Sequence, residues 1–110
     1  MARLGSKLRS LEGGGVAFMC PGCKAMHHVI VDGSRGWTWN QSGDAPTFNP
    51  SVLVRGTVPI TDQEHEIIMG DGTVNPKPLV CHSFVTDGRI RFLNDCTHDL
   101  AGQTVDLPDL

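Results

Sequence analysis

The sequence predicts a mostly-β single domain, a small barrel or sandwich-like sheet stapled by one zinc knuckle. Three observations carry this. Thirteen Gly and seven Pro in 110 residues point to many turns and short strands. Apolar and polar residues alternate on both sides of Asp87-Gly88, the strongest short-range hairpin signal. Four Cys include the pair Cys20-Pro21-Gly22-Cys23 between two strand-like runs, and a small core rich in turns gains most from such a staple.

Residues 1–15 mix Arg3, Lys7 and Arg9 with Leu4, Leu8 and Leu11 at helical spacing, then end in Gly13-Gly14-Gly15. They are expected as a flexible N-terminal arm, with a short basic helix as the alternative. The zinc-binding β domain is then 16–110. Val16–Met19 reads as a strand, and His27–Val31 as the next, closed by Asp32-Gly33. A Cys-x-x-Cys turn between strands aims two thiolates at one metal. A redox pair of the same spacing instead caps a helix. Lys24 stands where knuckles favour Gly after the second Cys.

Trp37 and Trp39 share one face of a strand and are candidates for core or for a partner surface. Asp44-Ala45-Pro46 is a turn, Pro50 marks an edge or corner, and Ser51–Thr57 reads as a strand. Residues 58–78 are irregular, with Pro59, Pro76 and Pro78 and an acidic group at Asp62, Glu64 and Glu66. His65–Met69 is read there as a short strand, turned by Asp71-Gly72 onto Thr73-Val74.

In the main hairpin, Asp87-Gly88 as a two-residue loop sets Thr86 opposite Arg89, Val85 opposite Ile90 and Ser83 opposite Phe92. One face then carries Cys81, Ser83, Val85, Ile90, Phe92 and Cys96, rejoined by His98. His82, Phe84 and Asp95 fall on the other face. Thr97–Gly102 reads as one helical turn and Gln103–Leu107 as a last strand.

A structural zinc wants four ligands. Cys20, Cys23 and Cys81 are the firmest. The fourth is Cys96 or His98, with His98 preferred because Cys96 suits a small buried hydrophobe. His27, His28 and His82 stand in reserve. Asp95 and Asp99 are read as solvated residues or as acceptors for a ligating His.

A net charge of −3 and pI near 5.9 argue against a general nucleic-acid binder. No apolar run approaches a membrane span, and Met1–Lys7 lacks the apolar core of a signal peptide. The expected setting is a reducing cytoplasm, where such cysteines bind metal more often than they form disulfides.

Five segments, Cys20-Pro21-Gly22-Cys23, Pro46–Ser51, Cys81-His82-Ser83-Phe84, Asp87-Gly88 and Asp95–Thr104, together resemble a family of small tailed-phage and prophage proteins. Many members carry the label "ammonia monooxygenase", which does not suit so small a chain. The resemblance spans about residues 16 to 108 and implies phage origin and zinc binding, with no reaction. The function expected on this basis is an accessory phage protein, a zinc-stabilised module binding a host or virion protein in the host cytoplasm or the virion. The alternatives are a zinc-dependent hydrolase using His82, His98 or Asp95 at an open metal position, and a zinc-ribbon-like nucleic-acid module.

Overall fold

The computed structural model describes residues 3–33 and 36–110. The alternation that builds its first sheet starts earlier than the sequence implies. Strands β1 (Arg3–Leu4), β2 (Leu8–Leu11), β3 (Gly15–Cys20) and β4 (Ala25–Ile30) form an antiparallel sheet in that order. The segment expected as a flexible arm is therefore part of the sheet, and Leu8 is fully buried. Leu4 and Leu8 are cross-strand partners rather than neighbours on a helix, since a tight hairpin and a helical turn both bring such residues together. Gly13 and Gly14 make a tight turn, at φ 84° and 86°. A Cβ on Gly14 would strike the Asp32 side chain.

A short pair, β5 (Thr38–Trp39) with β6 (Phe48–Asn49), bridges to the second sheet. That sheet contains β7 (Val52–Thr57), β8 (Pro78–Thr86), β9 (Arg89–Phe92) and β10 (Thr104–Asp106), in the order β10-β9-β8-β7. The two sheets share one core. Leu8, Val16, Phe18 and Val29 come from the first sheet and Val52, Val85, Ile90 and Phe92 from the second. Phe48 stacks on Phe18 at 6.0 Å between ring centres. Neither sheet closes on itself, so the sandwich-like alternative holds and the barrel does not.

The β8–β9 hairpin has the expected register, Thr86 with Arg89, Val85 with Ile90 and Ser83 with Phe92. Asp87 and Gly88 sit at φ 51° and 77°, as a type I′ turn requires. Cys81, Ser83, Val85, Ile90 and Phe92 are buried, whereas His82 and Phe84 lie on the other face.

Between β7 and β8 the expected strand at 65–69 is instead the helix α1 (Asp62–Met69). Thr61 and Glu64 form a capping box: the Thr61 hydroxyl accepts from the Glu64 amide and the Glu64 carboxylate from the Thr61 amide, each at 3.1 Å. That local signal outweighs the strand propensity of Ile67 and Ile68. Thr73-Val74 pairs with no strand among the described residues. No residue of α1 is buried, so the α1 arm, residues 59–76, lends the core no apolar area. Val58 donates to the Lys77 carbonyl at 2.9 Å, a pair that a two-residue Asn-Gly turn can close. Replacing residues 59–76 by Asn-Gly is expected to shift the melting midpoint by less than about 5 °C. A loss of more than about 10 °C in a thermal melt would show that the arm supports the sandwich.

Candidate active site and candidate metal centre

Two clusters lie on opposite faces of β8, one residue apart in sequence. The inner one is built by the Cys-x-x-Cys turn, β8 and the turn after β9. Cys20, Cys23, Cys81 and His98 place their ligand atoms within 4.8 Å of one another, close enough to hold a metal ion. The Cys20 carbonyl accepts from the Lys24 amide at 2.8 Å and Cys20 Sγ from the Cys23 amide at 3.4 Å. Lys24 adopts the left-handed conformation, φ 56°, that glycine usually supplies. Gly22 is required for another reason: a Cβ there would overlap the His98 imidazole.

The sulfurs are all free thiols. Cys20 and Cys81 Sγ are 3.8 Å apart, far beyond the roughly 2.05 Å of a disulfide. The hydrogen bond from Cys81 holds the Cys20 thiol down to about 4, with His27 also favouring its thiolate. The same bond, then burial, pushes the Cys81 thiol up. Burial and the Cys20 charge push Cys23 up to about 11. Three clustered sulfurs, two buried and one half-buried, thus favour one negative charge among them unless a cation neutralises the others. His98 Nε2 is buried with no hydrogen-bond partner among the described residues, and its ring meets Phe92 edge-on at 4.5 Å.

Cys96, the alternative fourth ligand, stands outside this cluster. Its sulfur accepts from the His82 amide and donates to the His82 carbonyl, both at 3.2 Å. The chain after Phe92 does not run on as a strand. It turns back and is tied to β8 by Leu93 N–H to the His82 carbonyl and Thr97 N–H to the Val80 carbonyl, both 2.9 Å. This turn delivers His98 to the inner face and Asp95 to the outer one. His27 is buried edge-on against Phe18 at 5.7 Å, while His28 and His65 are exposed.

On the outer face, His82 Nε2 lies 2.9 Å from Ser51 Oγ and His82 Nδ1 lies 3.2 Å from Asp95 Oδ2. The register explains the first contact. His82 pairs with Leu53, and Ser51 is two residues earlier on the same face, a diagonal neighbour within side-chain reach. Trp37 Nε1 donates to the Ser51 carbonyl at 3.3 Å and Trp39 Nε1 to the Ser42 carbonyl at 2.9 Å. The two indoles are half-buried against the core, and the first steadies the backbone at Ser51. A hydroxyl, an imidazole and a carboxylate in one hydrogen-bonded line can activate the hydroxyl as a nucleophile.

The sequence reading missed Ser51, and it named Asp95 only as a solvated residue, as an acceptor for a ligating His or as part of a zinc hydrolase, not as the partner of a serine and His82. No Gly-x-Ser-x-Gly elbow marks Ser51. The chain order Ser–His–Asp differs from those of the chymotrypsin, subtilisin and α/β-hydrolase types. The usable signal was the outward-facing His82, whose diagonal neighbour on the next strand is a hydroxyl.

A family model described as "Bacterial ubiquitination-like system serine protease (BubE)" matches residues 4–93. The match covers most of the chain, and the chain belongs to that family. It includes Ser51 and His82 and ends short of Asp95 and His98. No curated protein and no solved structure matches. The family overturns the expected role as an accessory phage interaction module, together with the zinc-hydrolase and nucleic-acid alternatives. Among the described residues no helix is long and apolar enough to cross a membrane.

Proposed function

We propose that this member of the bacterial ubiquitination-like system serine protease family cleaves peptide bonds with Ser51 as nucleophile, His82 as general base and acid, and Asp95 as the group that orients the imidazole. The observation that carries the reading is the continuous line Ser51–His82–Asp95 at 2.9 and 3.2 Å. Ser51 Oγ attacks the scissile carbonyl carbon as its proton passes to His82 Nε2. Collapse of the adduct breaks the C–N bond, and the amine leaves with that proton. Water then repeats the sequence on the acyl-enzyme and restores Ser51. The Asp95 side chain is 55% exposed, so its attraction to the imidazolium is screened and its main part is to fix the tautomer with Nδ1–H toward the carboxylate.

The metal centre is read as structural zinc held by Cys20, Cys23, Cys81 and His98. The 3.8 Å sulfur separation equals the edge of a tetrahedron with Zn–S about 2.3 Å, roughly 3.8 Å. Zinc would supply the cation the sulfurs need and a partner for the orphaned His98 Nε2. Ligation there would put the ring proton on Nδ1, which would then compete with the Leu100 amide that donates to it at 3.2 Å. The ion takes no part in the cleavage steps. Its ligand Cys81 adjoins His82, and its ligand His98 closes the turn that carries Asp95, so it fixes the two segments that align the imidazole.

The test is chemical labelling. A small alkyl fluorophosphonate is expected to modify one serine per chain, located to Ser51 by peptide mass spectrometry. Ser51→Ala removes the label, and His82→Ala slows labelling by at least about 100-fold. Labelling elsewhere, or none by a folded chain, would overturn the reading.

A further inference from the structure

The nucleophile opens directly into an edge strand. Ser51 is followed by β7, whose inner side pairs with β8 and whose outer side pairs with no strand among the described residues. The bond from Val58 to Lys77 sets the phase of that ladder. Val52, Val54 and Gly56 exchange hydrogen bonds with β8, so the amides and carbonyls of Leu53, Arg55 and Thr57 point outward. None of those outward groups has a hydrogen-bond partner among the described residues. Leu53 is 44% exposed, and Arg55, Gly56 and Thr57 are exposed. Beneath this edge runs a groove of about 390 Å³. Met26, Val54, Val58 and Leu79 line it, and Cys23 and His98 of the candidate metal centre reach it as well.

We infer that the substrate is an extended peptide segment that adds to the outer edge of β7 as an antiparallel fifth strand. Three features meet here: a row of free backbone donors and acceptors, an apolar groove below it, and a nucleophile at one end. Edge pairing gives affinity through the main chain, and pockets for alternate side chains give selectivity. Direction follows from geometry. A strand antiparallel to β7 runs from Thr57 toward Ser51, so the residues on the N-terminal side of the scissile bond lie along β7. Every second side chain of that segment drops toward Met26 and Val54 and is apolar. Near Ser51 the Trp37 indole occupies the outward carbonyl, so the substrate leaves the edge there and crosses to the outer face where Oγ lies. The inference rests on the serine-protease reading and names the substrate class for that same site.

The experiment uses the full chain and mixed-sequence peptidyl diphenyl phosphonates of one to five residues, with the small fluorophosphonate as the reference. The second-order labelling rate at Ser51 is expected to rise at least about tenfold as the peptide lengthens past Leu53 to Arg55, the worth of one or two hydrogen bonds. Single N-methyl groups walked along the longest probe should slow labelling at alternate positions only, because every second amide points at β7. Arg55→Pro removes one outward N–H, a change an edge strand tolerates. It should abolish the gain with length while small-probe labelling stays within about twofold, less than one hydrogen bond. Arg55→Ala, which keeps the N–H, isolates the backbone's share. Labelling that ignores peptide length, or an N-methyl scan without the two-residue period, overturns strand addition even if Arg55→Pro misfolds. Failure of the small probe itself would instead strike the serine-protease reading.

Discussion

Stripping the metal with a chelator under reducing conditions is expected to lower the melting midpoint by at least about 10 °C, the effect of losing roughly 2–3 kcal/mol in a domain of this size. Cys81→Ser should do the same. An ion held there would tie the knuckle at Cys20 and Cys23 to mid-strand Cys81 and to His98. A clip between positions so far apart in sequence withdraws much freedom from the unfolded chain. Without the cation, buried sulfurs and an orphaned imidazole nitrogen remain, each costly in a dry interior. Metal analysis should return one zinc per chain for the parent and none for Cys81→Ser. Cys96→Ser should keep its zinc, since that sulfur binds the His82 backbone instead. Peptidase activity should fall in step with metal loss, because Cys81 adjoins His82 and His98 closes the Asp95 turn. A Cys81→Ser chain that melts like the parent and retains its metal would remove the basis for the staple.

The grouping of Cys20, Cys23, Cys81 and His98 was legible in the sequence and that of Ser51 with His82 was not, for a physical reason. A two-residue spacer between thiols constrains geometry locally, and the Asp87-Gly88 turn fixes the pairing of β8 and β9, so the face carrying Cys81 follows from counting. His98 arrives on that face by a different route from the one expected, through a turn hydrogen-bonded to Val80 and His82 rather than a continued strand. Ser51 has no such local mark. Its place diagonal to His82 depends on the pairing of β7 with β8 across the α1 excursion, and a long connection leaves that register open. The misread N-terminus has a similar origin. Leu4 and Leu8 are four apart, a spacing that fits a helix and a tight hairpin equally. At residues 61–69 two local signals competed, and the capping box prevailed because no strand among the described residues offers Ile67 and Ile68 a ladder.

Ser51→Ala is expected to reduce kcat/KM for peptide cleavage by at least about 10⁴-fold, as removal of a triad nucleophile does, with no loss of metal and little change in melting midpoint. His82→Ala should cost about as much. The double variant should be no worse than either single one, because groups that act as a unit are not additive. Asp95→Asn tests the third member differently. An amide at that position stabilises the wrong imidazole tautomer, so the rate falls while KM holds. The drop should be smaller than for Ser51→Ala, because the Asp95 side chain is 55% exposed and water can partly replace it. Ser83→Ala is the internal control. Ser83 is fully buried on the opposite face of β8 and its Oγ has no hydrogen-bond partner among the described residues, so its removal relieves an unpaired hydroxyl and leaves cleavage intact. If Ser83→Ala were the inactive variant, or if the Ser51→Ala and His82→Ala losses multiplied in the double variant, the outer face of β8 would not be where the bond is broken. The geometry argues that it is: among the described residues, only there does one imidazole join a hydroxyl and a carboxylate through its two nitrogens.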